Sequence, residues 1–542
     1  MTREDIARRR STTGVLRGSA LGLTLGLALG LAAGVALWAA HPPVGAEFVA
    51  FLVGPLLVAA MRTVSGGGPL DRMTPVRRDL VATSPALLAG IVGYGAMIAW
   101  LIAPAGVIGW ALLVLIQALW LGLWAALVAP HLHRAAMPLL VAAAWVGMDM
   151  LRGLVPMSGF SWGALAYSQV DVAWFVPLGR TLGASGVTFV VVALSVALVD
   201  GLIGMWTGDR EDPPRAPLVQ AVGLALAVTL VTVGAPATQG SLDVLAVQGN
   251  DIEHWVRQDA DPPRTITGNL HRMTLEAVRD QGAPDLVVWP ESSIDRDPAR
   301  PAWRDLGVLA SEAAAAAGLL VAGVSLDGID DPARERIVGA WLVGPEGTSE
   351  VRDLYIKRRP VPFGEYVPAR RWLSWIPALD QVPRDAVAGA GAQAFAVAPG
   401  VTVAVVICFE TLFSDLVRTN VLAGQDAGVI LAITNDASFE RSSEPDQHLA
   451  QSRMRAIETG RWVVHAALSG SSAFVDPQGR VHAATELFTQ ATIRRDVPIA
   501  VGRTPFLVLG DVIGIAGAAV LLLLALLALT DGVMRRTRTR RR

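Results

Sequence analysis

The 542-residue sequence contains a single cysteine, Cys408, and of its 45 lysine and arginine residues only Lys357 is a lysine. One cysteine excludes an intramolecular disulfide and argues against a thiolate metal site, so Cys408 is free in whatever compartment it occupies. A basic excess is also missing. The formal net charge is -2 and the isoelectric point is near 6.5. With its basic clusters at the chain ends, no basic face marks a nucleic-acid partner. The scarcity of lysine is itself informative. Arginine is a planar, permanently charged fork, whereas lysine offers a compact point charge with a tunable pKa. A chain that uses lysine once is expected to need that property there.

Apolar residues are abundant. They make up 52% of the chain, and the mean hydropathy of +0.46 is too high for an ordinary soluble protein. They concentrate in residues 15–235 and 505–530, while 240–500 is mixed and charged. Windows of about 20 apolar residues are long enough to cross a hydrocarbon core of about 30 Å. Eight are expected: 18–40, 46–62, 82–103, 105–128, 134–152, 183–206, 216–235 and 508–530. Arginines cluster before the first (Arg8 to Arg10), after the second (Arg72, Arg77, Arg78), fourth (Arg134) and sixth (Arg210, Arg215), and after the last (Arg535 to Arg542). The alternate loops, His41 to Gly45 and the one around Pro104, carry almost none. By the positive-inside rule both termini are cytoplasmic and the segment between spans seven and eight lies outside. The first span is longer than a signal-peptide core and lacks a cleavage site, so it is read as retained. The expected domains are 1–240 (seven spans), 241–500 (an extracytoplasmic catalytic domain) and 501–542 (the eighth span and a basic tail). Arg152 to Gly183 is too aromatic and polar for a span and too apolar for a solvated loop. It reads as an interfacial segment, either an aromatic belt or part of a substrate entrance.

From Leu242 short β-branched runs alternate with Gly, Pro and Asp turns: 242–248, 285–289, 319–324, 337–343, 401–407, 429–434 and 462–468. Helical stretches at 265–281 and 303–317 between them predict an α/β layered domain. Three strand ends carry reactive groups, where such domains place catalytic residues. Glu291 follows Val287-Val288-Trp289-Pro290, Lys357 follows Tyr355-Ile356, and Cys408 follows Val405-Val406-Ile407. Each alone has an ordinary explanation as a turn former or small core residue. Together they form a coherent nucleophilic set. A thiol needs a neighbouring base or cation to react at neutral pH. Glu291 can take its proton, and Lys357 can stabilise the thiolate and then, with the Phe409 N–H, an oxyanion. His448 and His465 are read as structural, and neither a metal nor another cofactor is expected.

At these residues the sequence resembles the nitrilase superfamily, whose α-β-β-α sandwich carries a Glu, Lys, Cys triad. More closely it is similar to its membrane-bound branch, the apolipoprotein N-acyltransferases. The likeness rests on Gln248-Gly249-Asn250, Trp289-Pro290-Glu291-Ser292, Lys357 followed by Pro362-Phe363-Gly364-Glu365-Tyr366-Val367-Pro368, Ile407-Cys408-Phe409-Glu410 and Asn435-Asp436-Ala437. Arg152-Gly153, Gly159-Phe160, Tyr167-Ser168-Gln169 and Arg453-Met454-Arg455-Ala456 add to it. The resemblance implies a bacterial cytoplasmic-membrane enzyme working by a two-step, ping-pong transfer. An acyl chain would pass from a phospholipid to Cys408 as a thioester, then to the α-amino group of a diacylglyceryl-cysteine at an apolipoprotein N-terminus. It also implies an accessory carboxylate at Glu365, a loop-supporting role for Glu410, and accessory or substrate contacts at Phe409, Asn435, Trp289 and Phe439. Two departures bear on donor and acceptor preference: Ser438-Phe439-Glu440 stands where relatives often have Trp-Phe-Gly, and Phe409 where Tyr is common. The alternative is a membrane-tethered nitrilase-type amidase that releases its thioester to water.

Overall fold

The structure, a computed structural model, describes residues 3–65, 75–134, 137–207, 215–250, 261–346, 351–373 and 375–540. Arg72, Arg210, Arg541 and Arg542, used above to orient the chain, lie outside the described residues.

Among the described residues seven α-helices precede the sheets: α1 (Arg3–Ala39), α2 (Ala50–Ser65), α3 (Pro75–Met97), α4 (Ile102–Val128), α5 (Met137–Arg152), α6 (Val176–Thr207) and α7 (Arg215–Leu230). Among the described residues five segments are long and apolar enough to cross a membrane: Leu21–Ala39, Glu47–Ser65, Ala99–His131, Ala173–Trp206 and Val512–Thr530. The remaining three expected spans form shorter helices, so eight is not reached by this measure. One reason is local. The chain leaves helical geometry at Ile98, turns through Ala99–Leu101 and breaks again at Gly106 (φ 68°), so the expected boundary at Pro104 falls within a continuing apolar segment. Leucines at 112, 115, 119 and 123 of α4 remain exposed, the stripe expected of a lipid-facing surface. The buried ion pair of Arg152 with Asp149 (2.8 Å) is completed by Gln117 and by the carbonyls of Phe160 and Trp162. Polar groups at that depth must be paired in this way.

Among the described residues thirteen strands build two packed sheets. β1 (Ala237–Gln248), β2 (Leu286–Ile294), β3 (Leu320–Asp327), β4 (Glu335–Val343), β5 (Val351–Ile356) and the short β6 (Asp385–Ala386) belong to the first. The second contains β7 (Ala394–Ala398), β8 (Val401–Ile407), β9 (Val429–Thr434), β10 (Trp462–Ala467), β11 (Ala473–Val475) and β12 (Val481–His482). The last strand, β13 (Ala491–Val501), returns to the first sheet. Their orders are β13-β1-β2-β3-β4-β5, with β6 on β4, and β12-β11-β10-β9-β8-β7. The continuous apolar runs explain the architecture, since strands β2, β8, β9 and β10 are buried along nearly their whole length and must be covered on both faces. One apolar core, including Val288, Leu342, Val405, Leu431 and Val464, lies between the sheets. A second lies between the first sheet and helices α8 (Pro262–Gln281) and α9 (Arg304–Ala317). On the far side, α11 (Ser414–Val421) and α12 (Glu444–Thr459), which follow the single-turn α10 (Arg370–Leu373), share a third core with the membrane helices. The result is a four-layer α/β arrangement whose outermost helical layer rests on the bundle. After the short α13 (Pro505–Leu509), α14 (Val512–Arg540) rejoins it against α5.

The strand expectations hold closely at 401–407, 429–434 and 462–468, where the strand ends one residue earlier, and extend by a few residues elsewhere. β13 was not expected. The interfacial segment is more enclosed than expected of a belt. Trp162, Leu165, Tyr167 and Gln169 are buried, and the chain there runs through turns at Leu165–Gln169 and Ala173–Phe175.

Candidate active site

The ends of four strands converge. Glu291 lies within β2, not after it, because the pairing with β3 shifts register between Trp289 and Ile294, with Ser292 at φ 61°. The irregularity brings the β2 backbone against Gly323 of β3, where a Cβ would sit 2.3 Å from the Pro290 carbonyl oxygen. Only glycine leaves room for it. Lys357 follows β5, Cys408 follows β8, and Asn435 follows β9. Lys357 Nζ donates to Glu291 Oε1 (3.0 Å) and Glu365 Oε1 (2.7 Å). The second oxygen of Glu291 accepts from the Asn435 backbone N–H (3.1 Å), and that of Glu365 from the Val361 N–H (2.7 Å). Lys357 is 1% exposed, whereas Cys408 remains partly open.

The electrostatics follow from this crowding. Burial raises Glu291 above the ordinary carboxylate range; Lys357 pulls it down and Glu365 pushes it up. Burial works against the Lys357 charge, but Glu291 and Glu365 hold its pKa well above the ordinary value. Burial, reinforced by the Glu291 charge, holds the Cys408 thiol well above its usual value despite Lys357. The resting group is therefore a neutral thiol beside a carboxylate of raised basicity and a fixed ammonium. Cys408 itself adopts φ 50°, a left-handed conformation that costs a non-glycine residue about 1–2 kcal/mol. Such a turn lifts the side chain out of the strand end, and strain of this kind concentrates at functional sites.

Glu410 is fully buried and gathers donors: the Tyr355 hydroxyl (3.0 and 2.9 Å) and the N–H groups of Arg358 (2.6 Å), Arg359 (3.2 Å) and Ile407 (2.9 Å). It thus ties the Cys408 turn to the segment after Lys357. Phe409 stacks on Phe160 of the interfacial segment (6.3 Å, 23°), and Phe439 meets Trp100 edge-on (5.0 Å). Asn435 contributes its backbone, with its side-chain oxygen accepting from Ala437. Trp289 is not brought to the site. Its ring is buried in the outer core under α8, where Nε1 donates to Thr274 Oγ1 (2.9 Å).

Sequence reasoning passed over Gln447 and read His448 and His465 as structural. Gln447 accepts from the indoles of Trp100 (3.1 Å) and Trp162 (2.6 Å) and donates to the carbonyls of Pro42 (2.8 Å) and Met97 (3.1 Å), pinning α12 to three bundle segments. Asp436, His448 and His465 bring their donor atoms within 4.8 Å of one another, a spacing compatible with a metal. Hydrogen bonds account for these atoms differently, since His448 spans Asp436 Oδ1 and the Cys408 carbonyl, and His465 Nδ1 meets Ser452 Oγ (2.9 Å).

The two-sheet portion matches the family model described as carbon-nitrogen hydrolase over residues 263–504, which gives the class of enzyme. Residues 33–197 match the model of the apolipoprotein N-acyltransferase N-terminal domain. The chain is 33% identical over 411 residues to the apolipoprotein N-acyltransferase of Pseudomonas paraeruginosa, covering 71% of this chain and 73% of the relative. It is 31% identical over 394 residues to that of Geobacter metallireducens (70% and 73% covered), and 29% identical over 518 residues to that of Mycolicibacterium smegmatis (90% and 83% covered). The chain belongs to the apolipoprotein N-acyltransferase family. It is an acyltransferase and a bacterial membrane protein, and the likeness favours this reading over the tethered amidase.

Proposed function

We propose that the enzyme moves an acyl chain from a membrane phospholipid to Cys408 and then to the α-amino group of the diacylglyceryl-cysteine of an apolipoprotein, with Glu291, Lys357 and Cys408 as its catalytic residues. The observation that carries this reading is the shared ammonium. One buried lysine bridges two carboxylates beside a partly open cysteine held in a strained turn. In the first step Glu291 takes the thiol proton as sulfur attacks the ester carbonyl. Lys357 and the Phe409 N–H receive the oxyanion. The tetrahedral intermediate collapses, the C–O bond breaks, and the lysophospholipid hydroxyl leaves with the proton from Glu291. In the second step the free amine attacks the thioester, Glu291 accepts its proton, and the C–S bond breaks as Glu291 passes that proton to sulfur, restoring the thiol. Glu365 holds Lys357 together with Glu291, and Glu410 holds the nucleophile turn. The aromatic path from Trp100 and Phe160 to Phe409 and Phe439 supports an apolar route from the bundle to the sulfur.

The same reading keeps eight spans, the domain limits 1–240, 241–500 and 501–542, cytoplasmic termini and an extracytoplasmic catalytic domain in the bacterial cytoplasmic membrane. It is tested by incubating the enzyme with phospholipid and weighing the Cys408 peptide. An acyl adduct that withstands water and is discharged by a diacylglyceryl-cysteine peptide is expected. Discharge by water alone would overturn the transfer, and unimpaired transfer by both Cys408→Ser and Cys408→Ala would overturn the nucleophile. An impermeant thiol reagent is expected to reach Cys408 from the outer face alone; reaction only from the cytoplasmic face would invert the topology.

A further inference from the structure

The mechanism leaves Thr411, Asp436 and His448 without a task, yet Thr411 and His448 meet the carbonyl of the nucleophile and Asp436 backs His448. His448, on α12 and 1% exposed, places Nε2 3.1 Å from the Cys408 carbonyl oxygen and 2.8 Å from Thr411 Oγ1. Thr411 Oγ1 donates to the same carbonyl at 2.9 Å. Across the ring, His448 Nδ1 lies 3.2 Å from Asp436 Oδ1, which also accepts from Thr434 Oγ1 at 2.7 Å. Burial raises the Asp436 pKa, but the hydrogen bond and charge of His448 outweigh it and hold Asp436 below its ordinary value, as an acceptor. The ring thus has a carboxylate on one nitrogen and a carbonyl on the other. With Nε2 facing the carbonyl and Thr411 Oγ1, and Nδ1 facing the carboxylate, the ring bridges Asp436 to the Cys408 peptide. Two further titratable groups face the ring. His465, edge-on at 5.3 Å, is pushed down to about 3 by burial and by His448, and stays neutral. Glu444, whose Oε1 is 3.7 Å from Nδ1, is pushed well up by burial and by Asp436, toward the neutral acid.

We propose that Asp436 and His448 form a positioning pair that fixes the Cys408 turn and polarises the Cys408–Phe409 peptide. The inference rests on the function proposed above, in which the Phe409 N–H receives the oxyanion. That N–H belongs to the first turn of a short 3-10 helix (Cys408–Leu412), where intrahelical acceptors are missing and the group is free to serve a ligand. A donor on the carbonyl oxygen draws electron density through the amide and makes the N–H at its other end a stronger donor, as in any chain of hydrogen bonds. It also holds the peptide plane, which sets the direction of that N–H. His448 is then a positioning residue, acting through the backbone of Cys408 on the transition state.

The test separates carbonyl chemistry from thiol chemistry at one sulfur. His448→Phe keeps a flat ring without donors, and His448→Gln returns an amide N–H near the Nε2 position. Two single-turnover rates are read in the full-length, detergent-solubilised enzyme: acylation of Cys408 by phosphatidylethanolamine in mixed micelles, and alkylation of Cys408 by iodoacetamide, which develops no oxyanion. His448→Phe is expected to slow acylation about tenfold, a fraction of the roughly 10²–10³ that losing a whole oxyanion donor costs. Apparent KM for the phospholipid and the alkylation rate should hold within about twofold, and His448→Gln should restore most of the acylation rate. If His448→Phe does not fold, Thr411→Val, which removes the other side-chain donor to the carbonyl, is expected to slow acylation several-fold with alkylation unchanged. Equal losses in both rates would overturn the proposal, because His448 would then only maintain the thiol's surroundings. Wild-type acylation in His448→Phe, or no gain from glutamine over phenylalanine, would overturn it as well. A wild-type enzyme that alkylates but never acylates would instead remove the function on which the pair depends.

Discussion

Replacing Lys357 tests the centre of the site from two directions, rate and stability. Its ammonium donates to Glu291 at 3.0 Å and Glu365 at 2.7 Å and is 1% exposed. Lys357→Met leaves two carboxylates facing the vacated position. Like charges so placed cannot both remain ionised, so one takes a proton at neutral pH. Removing one partner of a buried pair costs about 3–5 kcal/mol, while removing one oxyanion donor costs about 10²–10³ in kcat. The two effects compound in the rate, because Glu291 is also weakened as a base, and a fall of at least about 10³ in single-turnover acylation is expected. Lys357→Arg separates charge from shape. It keeps the cation, but a planar fork does not fit the compact buried position of an ammonium, so a loss of at least about 10² is expected. The variants are measured by the mass of the Cys408 peptide against time and by denaturant unfolding in detergent. Adding Glu365→Gln to Lys357→Met should recover part of the stability and none of the rate, since it relieves the unpaired charge without replacing the donor. Lys357→Arg acylating within tenfold of wild type, or Lys357→Met as stable as wild type, would refute the reasoning.

Three further outcomes are expected. Because burial raises Glu291 and only its ionised form serves as base, the acylation rate should climb with pH through an inflection above the ordinary glutamate range and be lost below it; a profile flat down to the ordinary carboxylate pKa would contradict the raised value. Gly323→Ala puts a Cβ 2.3 Å from the Pro290 carbonyl oxygen and 2.6 Å from Glu291 Cα, so it should cost about 1–3 kcal/mol in unfolding measurements and displace Glu291, lowering kcat more than it raises KM. Gln447→Leu strips two indole donors and two bundle carbonyls of their partner, and proteolysis within 444–459 should become faster in detergent; unchanged protection would show that α12 is held by apolar packing alone.

What the sequence made legible was set by scarcity and by local pattern. Glu291, Lys357 and Cys408 stood out because two of them are the only residues of their kind and all three adjoin uniform apolar runs. Strands buried on both faces, such as Val401–Ile407 and Val429–Thr434, declare their ends because the apolar run stops where burial stops. β13 does not. Residues Ala491–Val501 include Arg494, Arg495, Asp496 and Pro498, are only partly buried, and become a strand by antiparallel pairing with β1, about 250 residues away, from Ala237↔Val501 to Gln248↔Ala491. Trp289 misleads for a related reason. Two residues from Glu291 in a regular strand, it would share that residue's face. The register shift after Trp289 breaks the alternation, sending the indole to the outer core and the carboxylate toward Lys357.

The groups behind the nucleophile left a different trace, one that ordinary reading inverts. In α12 the polar residues Glu444, Gln447, His448, Gln451, Ser452, Arg455, Glu458 and Thr459 recur every three to four positions, the period of one helix face. A polar stripe of that kind is normally the solvated side, yet all eight of these residues are buried. The explanation is positional. α12 lies between the second sheet and the membrane helices, so its polar face meets polar work on both sides. Gln447 binds bundle indoles and carbonyls, and Glu458 accepts from the Ala184 N–H of α6 (2.8 Å), while His448 reaches inward to the Cys408 carbonyl. The helix can be buried because Gln447, His448 and Glu458 find partners in other elements. A helical-period polar stripe between an apolar bundle and an apolar sheet is therefore a signature of a docked, load-transmitting helix, and it places the nucleophile's support and the bundle's anchor on the same four turns.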